Sequence, residues 1–156
     1  MPPDKLEEEQ MPTTARLVAA VLMAALGWGV ATLATAYLPE GQPVGLFAPV
    51  MALWGVIVGW IWTGRKIQEG SGKPLGVGLV GAALLVFWVL LSFAGFEMVR
   101  RATRVRYGGP VEALEDMMKI AMEYVRDQMQ PDVIGALVIG GALAGVLTAW
   151  VARRFR

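Results

Sequence analysis

The chain contains no cysteine and no histidine. That excludes disulfides, thiol nucleophiles, cysteine or histidine metal sites and histidine proton relays. Charge is scarce as well: Asp, Glu, Lys and Arg make up 17% of the residues, against about 25% in a typical soluble domain. The scarcity is local. Leu17–Leu38, Val44–Thr63, Leu75–Phe96 and Val133–Ala152 hold no Asp, Glu, Lys, Arg or His. Nor is there a phosphate loop of the P-loop type, a serine elbow or a pair of carboxylates within those runs. The net charge of +1 carries little information, because the charges sit in local clusters.

What is present is apolar length. The four runs are 22, 20, 22 and 20 residues long. A helix rises about 1.5 Å per residue, so roughly 20 residues cross a hydrocarbon layer of about 30 Å. The expected fold is all-α: a polytopic membrane protein with four transmembrane helices plus one amphipathic interfacial helix. The runs take 84 of the 156 residues. The polar N-terminal tail (1–16), the loops and the basic C-terminal end (153–156) are too small for a second, soluble domain. The chain is therefore read as a single membrane domain, with transmembrane helices at 17–38, 44–63, 75–99 and 131–152.

Residues 1–10 are acidic where a signal peptide would be basic, and the run after them exceeds the usual 7–15-residue apolar core. Ala34-Thr35-Ala36 offers a cleavage-like pattern, but an uncleaved span accounts better for the length. The expectation is that residues 1–10 are a disordered extension or a start-site artefact, with Met11 as the true start. Pro39-Glu40-Gly41-Gln42-Pro43 reads as a tight turn that makes spans one and two an antiparallel hairpin. Gly64–Pro74 reads as a flexible basic turn.

The third loop is the long one. Pro110 suits a first helical turn, and Glu112, Glu115 and Asp116 complement the helix dipole. Val111, Leu114, Met118, Ala121, Val125 and Met129 recur at three- and four-residue steps. The spacing predicts an amphipathic helix over 110–130 that lies in the membrane interface.

Lys and Arg counts set orientation. The N-terminal tail has two, the first loop none, the second loop three and the C-terminal end three. The third loop has six and opposes the others. Eight against six favours both termini inside, in the bacterial cytoplasmic membrane.

Gly55-x-x-x-Gly59 and Gly141-x-x-x-Gly145 are small-residue motifs, with Ala136, Gly140 and Ala144 as a second row. They serve either helix packing within one chain or oligomerisation. Glu97 reads as an ion-pair partner of Arg100 and Arg101, three and four residues on; the alternative is a proton or cation site. Arg100, Arg101, Arg104 and Arg106 are candidates for contact with an anion or a lipid headgroup, or simply a stop at the membrane edge. Met117, Met118, Met122 and Met129 are better read as apolar filler than as Cu(I) ligands, since no cysteine or histidine assists them. Trp60, Trp62 and Trp150 look like interfacial belt residues, while Gly76, Gly78 and Gly81 hint at a break in span three.

Several segments together carry a family resemblance. They are Met11-Pro12-Thr13-Thr14-Ala15-Arg16-Leu17, Phe96-Glu97-Met98-Val99-Arg100-Arg101 with Arg106-Tyr107-Gly108-Gly109-Pro110, and Pro131-Asp132-Val133-Ile134-Gly135-Ala136-Leu137 with the ending Trp150-Val151-Ala152-Arg153-Arg154-Phe155-Arg156. From about Met11 onward the chain resembles the TrgA family, small bacterial membrane proteins associated with tellurite resistance. Residues 1–10 depart from that pattern. The resemblance implies a phenotype and no catalytic residue. Without cysteine the chain cannot reduce tellurite by thiol chemistry of its own.

The expected function is therefore non-enzymatic: an inner-membrane protein contributing to tellurite or oxyanion tolerance. The alternatives are a small-anion transporter or channel acting as an oligomer, and an accessory or assembly subunit of a larger membrane complex. The expected partners are membrane lipids and a second copy or another membrane protein. No nucleic acid and no cofactor is expected.

Overall fold

The computed structural model describes residues 12–37, 44–103, 108–128 and 130–154. The N-terminal segment 1–10, with Arg104, Arg106 and Met129, lies outside them. All the elements among the described residues are helical. Helix α1 is Pro12–Thr35. A 3₁₀ turn at Val44–Leu46 leads into α2, Phe47–Val58, which passes through a π turn, Gly59–Gly64, into the short α3, Arg65–Gln68. Helix α4 is Pro74–Ala102, α5 is Pro110–Gln128 and α6 is Pro131–Arg154. Four stretches are long and apolar enough to cross a membrane: Thr14–Thr35, Phe47–Gln68, Pro74–Ala102 and Pro131–Arg154.

The helices begin and end where the local chemistry requires. Proline is the first residue of α4, α5 and α6, where a missing N–H costs nothing and φ is already helical. Helix α3 stops at Gly70, whose φ of 64° a side chain would disfavour. The Gly70 N–H donates to Ile67 O and the Ser71 N–H to Lys66 O, a Schellman close. The second loop is thus a defined cap. Gly76, Gly78 and Gly81 do not break span three, because α4 runs continuously through them. The interrupted helix is span two, at its π turn.

Successive spans are antiparallel. Arg16 at the start of α1 donates to Gln68 at the end of α3, Trp54 of α2 donates to Ser92 of α4, and Tyr37 just after α1 donates to Asp132 at the start of α6. Helix α5 folds back along the end of α4, with Arg101 beside Asp116 and Phe93 beside Tyr124. It packs antiparallel to α4 through Ile120, which is 2% exposed, and through half-buried Ala113, Met117 and Tyr124. That face differs from the expected stripe, of which Val111, Leu114 and Met118 point outward. The apolar arc of α5 is wider than one neighbouring helix covers.

Glycine brings the spans together. A Cβ on Gly59 would lie 2.5 Å from the carbonyl oxygen of Ala19, and one on Gly64 would lie 2.6 Å from Arg16 Cα. One on Gly55 would strike the backbone of Met23 and Ala24, and one on Gly27 would lie 2.5 Å from Met51 O. On the other side, Gly78 of α4 abuts Gly141 and Gly145 of α6, and Gly145 also meets Pro74 O. The core between these contacts is rich in alanine, with Ala19, Ala20, Ala31, Ala34, Ala82, Ala94, Ala144 and Ala149 all buried.

Gly59→Val must push α1 off α2 at backbone atoms, and we expect it to cost about 1–3 kcal/mol. Gly29→Ala has nothing within 4 Å of the new methyl and should be neutral or gain about 0.5–1 kcal/mol. Reversible unfolding of the purified protein in mixed micelles measures both; equal effects would contradict the close-contact reading.

Candidate functional site

The C-terminal end of α4 carries the residues that chemistry singles out. The carboxylate of Glu97 lies 3.3 Å from Nε of Arg100 and 3.3 Å from Nε of Arg101. Arg101 reaches across to Asp116 of α5 at 3.6 Å. The i,i+3 and i,i+4 spacing on one helix face produces the first two pairs, and the antiparallel return of α5 produces the third. The Glu97 side chain is 18% exposed and both arginines are close to half exposed, so each pair contributes modestly to stability. Two cations and two carboxylates make the cluster neutral. Of the four arginines considered for anion or headgroup contact, Arg100 and Arg101 therefore sit among acids. Arg104 and Arg106 are outside the described residues.

The other expected groupings separate in space. Gly55 and Gly59 face α1, and Gly141 and Gly145 face α4. Met117 is half-buried against α4, whereas Met118 and Met122 point outward, so the methionines do not converge. Trp62 and Trp150 lie under basic residues, with Lys66 Nζ 5.5 Å from the Trp62 ring and Arg154 5.2 Å from the Trp150 ring. Trp54 and Trp88 stack at 5.1 Å inside the bundle wall, and the Trp54 N–H donates to Ser92 Oγ.

The two ends of the bundle differ in charge. The end that carries the first residues of α1 and the last of α6 has six described cations, Arg16, Arg65, Lys66, Lys73, Arg153 and Arg154, with Glu69 as its one described carboxylate. Glu69 accepts from Arg65 at 2.7 Å, which holds its carboxyl below the usual range. The opposite end has Arg100, Arg101, Lys119 and Arg126 among seven described carboxylates. There the Tyr37 hydroxyl donates to Asp132 at 2.5 Å, and this bond raises the tyrosine above its ordinary value.

Three features had no direct signal in the sequence reading. First, the π turn buries Thr63 and Gly64 together. Thr63 Oγ1 and Trp62 Nε1 are the buried side-chain polar atoms without a hydrogen-bond partner among the described residues. The clue was available: Gly55, Gly59 and Gly64 all face α1 although their spacing changes from four to five, which a one-residue insertion allows. Second, Tyr37 ties the end of α1 to α6. Third, an apolar cleft opens between the spans beneath α5, with Tyr124 on its rim and no polar surface in its lining.

Burial, with Glu97 nearby, holds the Tyr124 hydroxyl above the ordinary tyrosine range. Its contribution to stability is complete below about pH 10 and is lost as pH rises through the higher folded-state value. Tyr124→Phe should therefore melt at a temperature that falls less between about pH 9 and pH 11.5 than the wild type does. Thermal scans across that range check it; an identical fall would show that Tyr124 ionises freely in the folded protein. No family model, curated protein or solved structure matches this chain.

Proposed function

We propose that this chain is a non-enzymatic protein of the bacterial inner membrane that contributes to tellurite or oxyanion tolerance, acting through the membrane or a partner. The observation that carries the reading is the chemistry of the bundle interior. The apolar runs contain no Asp, Glu, Lys, Arg or His, and the buried polar side chains among the described residues are Thr63 and Thr148. The Thr148 hydroxyl is spent on Ala144 O within its own helix. The cleft is lined by apolar surface alone. Such an interior favours a packing role over an ion path, which needs intramembrane charges or coordinating backbone. The phenotype itself rests on the resemblance of the three segments to the TrgA family.

One observation favours a partner protein as the second reading. Val111, Leu114, Met118 and Met122 of α5 are 70%, 60%, 60% and 67% exposed, on the side of the helix turned away from α4.

The orientation we infer puts both termini in the cytoplasm. Its support is the six described cations at the termini-bearing end against four at the other, where Arg100 and Arg101 are paired with acids.

A strain lacking the gene should grow less well on graded tellurite while its tolerance of a general membrane-stress agent is unchanged, and the intact gene should restore growth. Unchanged tellurite tolerance overturns the proposed phenotype. Anion flux into proteoliposomes of the purified protein would replace the packing role by transport. The cysteine-free sequence makes any introduced thiol unique. Glu112→Cys should react with a membrane-impermeant maleimide in intact spheroplasts, and Ser71→Cys only after lysis. The reverse pattern inverts the orientation.

A further inference from the structure

The glycine contacts are not spread evenly along the bundle. Gly59, Gly64, Gly78, Gly81 and Gly145 meet a neighbouring span in the half that carries the termini, Gly55 does so near mid-bundle, and Gly27 of α1 meets Met51 of α2 in the opposite half. In the opposite half Gly29, Gly95 and Gly135 have nothing within 4 Å, so no close backbone approach is made through them. Helices α1 and α2 are thus in close contact along most of their length, while α4 and α6 abut at Gly78, Gly141 and Gly145 and make no such contact at Gly95 and Gly135. The cleft occupies the gap, bordered by Val30, Ala34, Phe47, Val89, Phe93 and Tyr124 among others, from all four spans and α5. The cleft has a cavity volume of about 50 Å³. A single water-sized group takes roughly 10–15 Å³ on that measure, so the cleft admits a short stretch of an extended chain.

Its depth identifies the occupant. Val86 and Phe93 line the cleft and lie eleven and four residues before Glu97, which marks the edge of the apolar run. At about 1.5 Å per residue, these two residues lie about 16 and about 6 Å below that edge, so the cleft sits within the hydrocarbon of one leaflet and reaches toward the bilayer midplane. Arg100 and Arg101 lie about 11 Å beyond Phe93 on the same helix, at the level of lipid phosphates. The lining offers no hydrogen-bonding surface to hold water, and an empty apolar void forfeits contacts on every wall.

We infer that this cleft binds one acyl chain of a membrane phospholipid, with α5 as its cover and the Arg100–Arg101 end of α4 beside the headgroup. The site requires that the four helices span a membrane; it does not depend on the tellurite phenotype. Tyr124 and Val125 close the mouth from α5, so the chain enters between spans and is retained by the helix lying over it.

The test is native mass spectrometry of the intact protein purified in mild detergent containing phosphatidylethanolamine and phosphatidylglycerol, then washed in lipid-free detergent. Wild type should retain one phospholipid per chain. Val86→Phe, which fills the cleft, should retain several-fold less, because the acyl chain loses the close dispersion contacts it makes there. Val80→Phe, on an exposed face of the same helix, should retain it fully. After exhaustive delipidation the wild type should melt at a lower temperature, and Val86→Phe should lose less. Wild type that retains no phospholipid, a folded Val86→Phe that retains as much as wild type, or retention of a molecule that is not a phospholipid would each overturn the assignment. If Val86→Phe does not fold, Ala34→Leu is read in its place. The wild-type stoichiometry and the effect of delipidation on its melting decide without either variant.

Discussion

Close backbone contact at glycine is the constraint on which the rest of the bundle depends. In hydrocarbon an apolar side chain gains nothing by leaving lipid for another helix, so spans associate through dispersion and close fit. A glycine removes the atoms that would hold two backbones apart. Gly55, Gly59 and Gly64 do this against α1, and Gly78 with Gly141 and Gly145 does it between α4 and α6. The π turn follows from the same demand. It inserts one residue so that Gly64 still faces α1 while Thr63 faces Gly81 of α4. The cost is local: the Thr63 hydroxyl is buried without a hydrogen-bond partner among the described residues.

The same constraint shapes the half of the bundle where such contacts are fewer. Valine, phenylalanine and leucine line the facing surfaces there, and the helices separate enough to leave a cleft. Helix α5 covers the gap instead of a fifth span. It packs with Ile120, Met117 and Tyr124 toward α4 and holds position through Arg101 and Asp116. Tyr37 and Asp132 join α1 to α6 at the same end. The polar bonds of this end thus add to the connection that glycine contact supplies most densely at the other.

Charge divides along the same axis. The tightly packed end is ringed by basic residues that lie over Trp62 and Trp150 or bond to nearby oxygens of Gln68, Glu69 and Ala149. The opposite end carries an acidic excess among its described residues, in which the arginines closest to the membrane edge face Glu97 and Asp116. An anion arriving at Arg100 or Arg101 competes with carboxylates already in place. This weighs against a strong anion site built from these two residues, and favours their placement beside a lipid headgroup that is held chiefly through its chain.

The sequence by itself determined the class of fold. Charge-free runs of span length, Pro39 and Pro43 in the first loop, and Pro110 and Pro131 at helix starts are local signals, and local chemistry decides where helices begin, end and stay apolar. It also determined the pairing of Glu97 with Arg100 and Arg101, because i,i+3 and i,i+4 neighbours meet on any helix. Only the tertiary structure decided which face of α5 is buried, since an apolar arc wider than its partner leaves the choice to α4. The same holds for the tie between Tyr37 and Asp132, the partners of each glycine, the π turn and the cleft. Each depends on residues far apart in the chain meeting at a distance set by side-chain volume on both helices, which no periodicity in one segment encodes.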